Sequence, residues 1–153
     1  MRLKTQTIRI DAPRELCFEV VAAAGRRIEK RTESEWVVEF ETEAAGRKVR
    51  TVELLNLDRP RAIHYRWLEG PIPEVNESIL FTPVGDNQTH LTYVGRFSLG
   101  KGPIGWLIAR LRVKRLFERL VYEHFEAAKR VAEKRALRSR VHSRHRPPED
   151  ASS

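Results

Sequence analysis

The sequence predicts an α+β domain: a single antiparallel sheet of seven strands with its helices on one face. Three observations carry this. Seven short segments alternate apolar and polar residues or are rich in β-branched ones. Six of them follow one another with short turn-like connections, which favours antiparallel pairing. Two helical apolar patterns stand outside that run, one after the first strand and a long one at the C-terminal end.

The segment 5–10 (TQTIRI) sets Ile8 and Ile10 on one face and Arg9 on the other, a strand. A helix is expected over about 13–24. Asp11 would cap it, Pro13 suits its first turn, Leu16, Cys17, Val20, Val21 and Ala24 form its apolar stripe, and Gly25 ends it. Arg27–Thr32 is a weak strand. Glu35–Glu43 places Trp36, Val38 and Phe40 opposite Glu39, Glu41 and Glu43. After the turn at Ala44-Ala45-Gly46, Arg47–Leu57 alternates less cleanly, the mark of a bulge. A turn at 58–61 leads to Ala62–Leu68, with Ile63, Tyr65 and Trp67 on one face. Glu74–Thr82 follows a Gly-Pro-rich break at 70–73, and Thr89–Ser98 carries Leu91, Tyr93, Gly95 and Phe97 on one side. From about Ile104 the pattern is helical, and Leu107, Leu111, Leu120, Val121, His124, Ala128 and Val131 fall near one face. Residues 1–137 form the domain, and 138–153 a basic tail expected to be disordered.

Composition narrows the function. The chain has 153 residues, 41% hydrophobic and 33% charged, enough to close one core. No run of about 18 apolar residues offers a membrane span. The charged N-terminus lacks a signal-peptide pattern, so a cytoplasmic protein is expected. Cys17 is the only cysteine, which excludes an internal disulfide and a thiolate zinc cage. The five histidines form no metal-ligand spacing, and neither a metal nor a cofactor is expected. The net charge of +8 is uneven: residues 129–146 hold eight Lys or Arg against one Glu, and the rest is close to an ordinary surface.

Three stretches resemble the START/Bet v1-like (SRPBCC) superfamily, in particular its polyketide cyclase/dehydrase and lipid-transport branch. IRIDAPRELCFEVVA is similar to that family's first strand, turn and helix. VELLNLDRPRAIHYRW is similar to its central hairpin, with Arg59-Pro60 where two prolines are common. FTPVGDNQTHLTYVGRF is similar to its last hairpin, with His90 where a basic residue is common. The likeness spans about residues 3–137. It implies a helix-grip fold, in which a curved seven-stranded antiparallel sheet wraps around the long C-terminal helix and encloses a cavity.

An empty hollow is costly: a dry void of about 300 Å³ would cost about 7 kcal/mol, against about 5–15 kcal/mol of net stability for a typical domain. The hollow should therefore hold large side chains or a guest. The candidate lining is Trp36, Phe40, Tyr65, Trp67, Leu91, Tyr93 and Phe97 from the sheet, with Leu111, Leu120 and His124 from the helix. The ordinary alternative is that these residues simply pack the core. The leading expectation is non-catalytic binding or transport of a hydrophobic small molecule, lipid or polyketide-like.

Two other classes stay open. A cyclase or aromatase needs acid–base groups facing the cavity, and Glu53, Tyr65, Tyr93 and His124 are the candidates, with no nucleophilic triad in the spacing. Against each stands a plain role: a solvated strand Glu, satisfied core tyrosines, a structural His. The basic stretch 129–146 could instead bind nucleic acid or an anionic membrane surface, although it lacks aromatics for base stacking and also reads as a solvated helix end. Ile104 and Trp106, ahead of Arg110, Arg112, Lys114 and Arg115, suit a portal, a dimer contact or a membrane-touching edge as well as simple burial. Cys17 is expected to act as a small buried hydrophobe. The oligomeric state is left open.

Overall fold

A computed structural model describes residues 1–99 and 105–144, with the side chains of 105–109 left aside. In chain order the elements are β1 (Gln6–Ile10), α1 (Arg14–Ala22), β2 (Arg26–Lys30), β3 (Glu35–Ala44), β4 (Arg47–Asp58), β5 (Ala62–Glu69), β6 (Glu74–Pro83), β7 (Thr89–Ser98) and α2 (Gly105–Arg144). The seven strands form one antiparallel sheet in the order β1-β7-β6-β5-β4-β3-β2. The sheet stays open, with β1 and β2 as its edges. This is the α+β helix-grip arrangement expected from the sequence.

Most neighbours are hairpins, as short connections require. The exception is β1, which crosses over through α1 and pairs with the last strand, Ile8 facing Leu91. Thr89, fully buried, donates to the carbonyl of Ala12 at 2.8 Å and ties that crossover to β7. Asp11 does not cap α1: Pro13 occupies the cap position without a side-chain hydrogen bond. Asp11 lies too early in the turn, and its backbone N–H goes instead to Glu133 of α2 at 3.1 Å. The bulge expected along β4 lies where β4 meets β5, between Val52 and Glu53.

The inner face of the sheet is fixed by alternation: Leu55 and Leu57, Ile63, Val75 and Phe81, Leu91, Tyr93 and Phe97 are all buried. α1 covers part of it with Cys17, Phe18, Val21 and Ala22. Burial pushes the Cys17 thiol up, in keeping with a small hydrophobe.

The long helix departs from expectation in its phase. Its buried stripe is Phe117, Val121, Phe125, Ala132 and Ala136, at steps of four, four, seven and four residues. Leu111 is 50% exposed and Val131 42% exposed, and His124 lies on the exposed side. The apolar residues of α2 surround more than half its circumference, so several stripes compete on paper; the aromatic pair Phe117 and Phe125 takes the core side. α2 is fastened along β1 rather than across the whole sheet. Gln6 Nε2 donates to the carbonyl of Glu118 at 2.8 Å, and Lys129 Nζ to the carbonyl of Arg9 at 3.0 Å. The helix continues through Arg144 because no Pro or Gly interrupts it there. The expectations for Ile104, for the side chains of Trp106 and Leu107, and for the chain beyond Arg144 lie outside the described residues.

Candidate functional site

The inward positions of the central strands hold both the expected aromatics and an acidic pair. Glu53 on β4 pairs across to Trp67 on β5, and Tyr65 on β5 pairs across to Glu77 on β6. The two carboxyls therefore bracket the Tyr65–Trp67 pair. Glu53 is 7% exposed, so the inward position entertained for it holds. One of its oxygens accepts from Thr51 Oγ1 at 2.7 Å, while Oε2 has no hydrogen-bond partner among the described residues. Glu77 accepts twice, from Trp67 Nε1 at 3.1 Å and from the Tyr93 hydroxyl at 2.5 Å.

Gly95 makes the second of these bonds reachable. It lies directly across from Glu77 in the β6–β7 register. A Cβ at Gly95 would run into the Tyr93 hydroxyl, with Tyr93 Cζ at 2.8 Å. The absent side chain lets the phenol of Tyr93 lie over its own strand and reach the carboxyl.

The electrostatics follow from burial. Desolvation raises Glu53 to about 8, with the nearby Glu77 charge adding to the shift and the Thr51 hydroxyl opposing it. Desolvation also raises Glu77, against the two bonds from Tyr93 and Trp67. Tyr65 and Tyr93 are held well above the ordinary phenol range, by burial first and by the carboxyls they face second. Near neutral pH the tyrosines are neutral, and Glu53, raised to about 8, mostly keeps its proton. The arrangement can donate and accept protons or hydrogen bonds in a water-poor setting.

The remaining candidates divide. Trp67 and Phe97 meet at Phe117 of α2, with ring centroids at 5.6 and 5.8 Å, and Tyr93 meets Phe125 edge-on at 6.5 Å. Phe40 and Tyr65 lie 6.4 Å apart. Leu91 is fully buried in the core, and Leu120 is half-buried. Trp36 sits apart under two guanidiniums, Arg27 at 4.7 Å and Arg59 at 5.5 Å, and its buried Nε1 has no partner. Trp36, Phe40, Tyr65 and Trp67 are packed against the core yet only half-buried. Leu111 and His124 fall at exposed positions of α2, which turns Phe117, Val121 and Phe125 inward, while partial desolvation still pushes the His124 imidazole down.

Four residues of this interior escape the sequence reading: Glu77, Thr51, Phe117 and Phe125. Glu77 had a signal, since it alternates with Val75, Ile79 and Phe81 on the inward side of β6. Phe117, Val121 and Phe125 had one in their four-residue spacing. On the opposite face of the sheet an open depression of about 320 Å³ is lined mainly by Leu54, Asn56, His64, Arg66, Asn76 and Ser78, with Tyr65 and Glu77 of the intervening positions contributing to its floor. Among the described residues no cluster of His, Cys, Asp or Glu could hold a metal, and no helix is long and apolar enough to cross a membrane.

Solved structures share this architecture. The ZhuI aromatase/cyclase from Streptomyces sp. R1128 superposes with a TM-score of 0.79 at 20% identity, over 88% of this chain and 94% of that one. This chain has the START/Bet v1-like fold. A START superfamily protein from Mycobacterium smegmatis matches with a TM-score of 0.66 at 16% identity, over 90% of this chain and 99% of that one. The di-domain aromatase/cyclase StfQ of steffimycin biosynthesis matches with a TM-score of 0.70 at 16% identity, over 89% of this chain and 52% of that one, so this chain corresponds to about half of it. No family model matches the sequence, and no curated protein does.

Proposed function

We propose that this START/Bet v1-like domain binds a hydrophobic small molecule between the inner face of its sheet and α2, and carries or senses it without transforming it. One observation supports this most. Trp36, Phe40, Tyr65 and Trp67 project from the inner face and are still only half-buried. Large aromatics on a core face are ordinarily sealed by packing, because each leaves a substantial apolar area to cover. Here the covering helix is fastened along β1, at the far side of the sheet from β3. The reading places this binding in the cytoplasm.

Native mass spectrometry and thermal shift with lipids and aromatic polyketides test the reading. A one-to-one adduct with a rise in Tm of several degrees is expected. No adduct and no shift across the panel would reject it.

A second reading, a cyclase or aromatase, is favoured by one specific feature: two desolvated carboxyls beside Tyr93. Ring closure of a polyketone by aldol chemistry needs a base at an acidic C–H and an acid at the carbonyl oxygen. Glu53 and Glu77 could share those roles, with Tyr93 orienting Glu77. Turnover of a linear polyketone thioester, lost in Glu53→Gln and in Glu77→Gln, is the expected sign. Turnover that survives both substitutions excludes the two residues as catalysts.

A further inference from the structure

The acidic pair carries more than a general affinity for oily molecules. Every hydrogen bond it receives comes from a neutral donor: Thr51 to Glu53, and Trp67 and Tyr93 to Glu77. Among the described residues, no Lys, Arg or His reaches either carboxyl. The ion pairs seen among the described residues lie away from the two carboxyls, such as Arg26 and Arg50 with Glu39, or Lys129 with Glu133. The helix wall opposite presents Phe117, Val121 and Phe125, none of which titrates. Buried carboxyls without a counter-charge are costly, and proteins ordinarily supply the partner when they retain them. Glu53 also keeps one oxygen unused. Around the pair stand Tyr65, Trp67 and Tyr93, and aromatic faces attract cations.

We propose that the guest of this interior carries a protonated amine on a hydrophobic body, and that the ammonium group is held by Glu53 and Glu77 inside the aromatic surround of Tyr65, Trp67 and Tyr93. The inference rests on the binding reading above and names the chemical class of its ligand. It disfavours fatty acids, whose carboxylate would enter a water-poor site that offers no cation among the described residues. It also fixes a proton balance. The amine enters as its ammonium ion, so a carboxyl of the pair that is protonated beforehand must ionise to meet it. Its proton leaves for solvent. The raised value of Glu53 is what makes that release visible at neutral pH. The titratable groups facing the pair are Tyr65 from β5 and Tyr93 from β7, both neutral donors over this range.

The net charge of +8 sharpens the test, because non-specific attraction would favour an anionic probe. Decylamine, decanol and decanoic acid have the same chain length. Isothermal titration below their micelle concentrations, at pH 7 in two buffers of different ionisation enthalpy, reads both affinity and proton release. One-to-one binding of decylamine is expected to be at least tenfold tighter than that of decanol, with decanoic acid weakest. A fraction of a proton should be released with the amine only. Glu53→Gln should bring decylamine to within about threefold of decanol, and the heat-denaturation curve of that variant checks that it folds. Equal binding of the three probes, or tighter binding of decanoic acid, would overturn the ammonium assignment and leave the binding reading standing. No binding of any probe would sink both.

Discussion

The inner face of the sheet is two surfaces with different solutions to burial. On the β7 side, Leu91 and Phe97 are sealed by β1 and by α2, with Phe97 and Phe117 stacked almost parallel at 2°, and Tyr93 stands at the border with its hydroxyl on Glu77. On the β3–β5 side, Trp36, Phe40, Tyr65 and Trp67 keep accessible surface, and Glu53 and Glu77 are set among them. The first surface behaves as a core, where shape complementarity fixes the fold. The second combines large aromatics with unneutralised acids, a composition that lowers stability unless something else occupies it. The contrast separates the surface that packs the domain from the one on which the proposed binding rests.

The largest expected effect breaks the sealed side. Phe117 touches both Trp67 and Phe97, and truncating it leaves a cavity between those rings. Phe117→Ala should cost about 3–5 kcal/mol, read as a lower denaturant midpoint. Trp36→Ala, on the open side, should cost only about 1–2 kcal/mol despite removing a larger side chain. Equal losses would erase the distinction between the two surfaces.

Next in size is the pH response of Glu53. Its folded-state value is raised to about 8, so the folded chain holds a proton that the unfolded chain releases at its ordinary carboxylate value. Stability is therefore intact below the usual carboxylate range, falls as pH climbs, and levels off above about pH 8. At about 1.4 kcal/mol per pH unit the full loss is at most about 5 kcal/mol. Glu53→Gln should flatten this slope and be the more stable protein at pH 9, as read by urea midpoints at pH 5, 7 and 9. A wild-type slope of the opposite sign would mean that Glu53 is ionised and stabilised in the fold.

Smaller still is Gly95→Ala. The added Cβ would meet the Tyr93 ring and Leu3 Cδ1, the latter at 3.0 Å. Crowding of this kind costs about 1–3 kcal/mol. It should also move Tyr93 off Glu77, so Tyr93→Phe combined with Gly95→Ala should add little to the loss that Gly95→Ala causes by itself. Additive losses would show that Gly95 does not place Tyr93.

How far the sequence could be read follows the same division. Strands were legible because alternation is a two-residue property that neighbours cannot change: Ile63, Tyr65 and Trp67 point inward as their spacing required. Six consecutive hairpin-like segments left little choice of topology, and the similarity of IRIDAPRELCFEVVA to a known superfamily placed β1 and α1. The phase of α2 was not legible, because Leu111, Val131 and His124 form one plausible stripe and Phe117, Val121 and Phe125 another. Only the rings of Trp67, Phe97 and Tyr93 decide between them. Glu77 was hidden for another reason. A lone Glu in a strand is ordinarily a solvated residue, and its inward role depends on Trp67 and Tyr93, which lie ten and sixteen positions away.

The smallest expected effect on stability lies at the end of α2, where the helix outruns the domain. Ala136 is the last buried residue among those described, and Leu137 and Val141 beyond it are 60% and 56% exposed. Among the described residues, Lys134, Arg135, Arg138, Arg140 and Arg144 have no acidic partner, while Lys129 pairs with Glu133. Removing everything after Ala136 takes away no buried residue among those described, so stability should change by less than about 0.5 kcal/mol, read from the denaturant midpoint. The charge is another matter. Clustered arginines gain affinity for phosphates by releasing counterions, and that gain depends steeply on salt. If this end meets a polyanion, the truncated chain should elute from immobilised RNA at lower salt, by more than the shift it shows on a simple cation exchanger. Matching shifts on the two columns would reduce the cations to a solvated helix end, whose positive charge favours the helix dipole and nothing further.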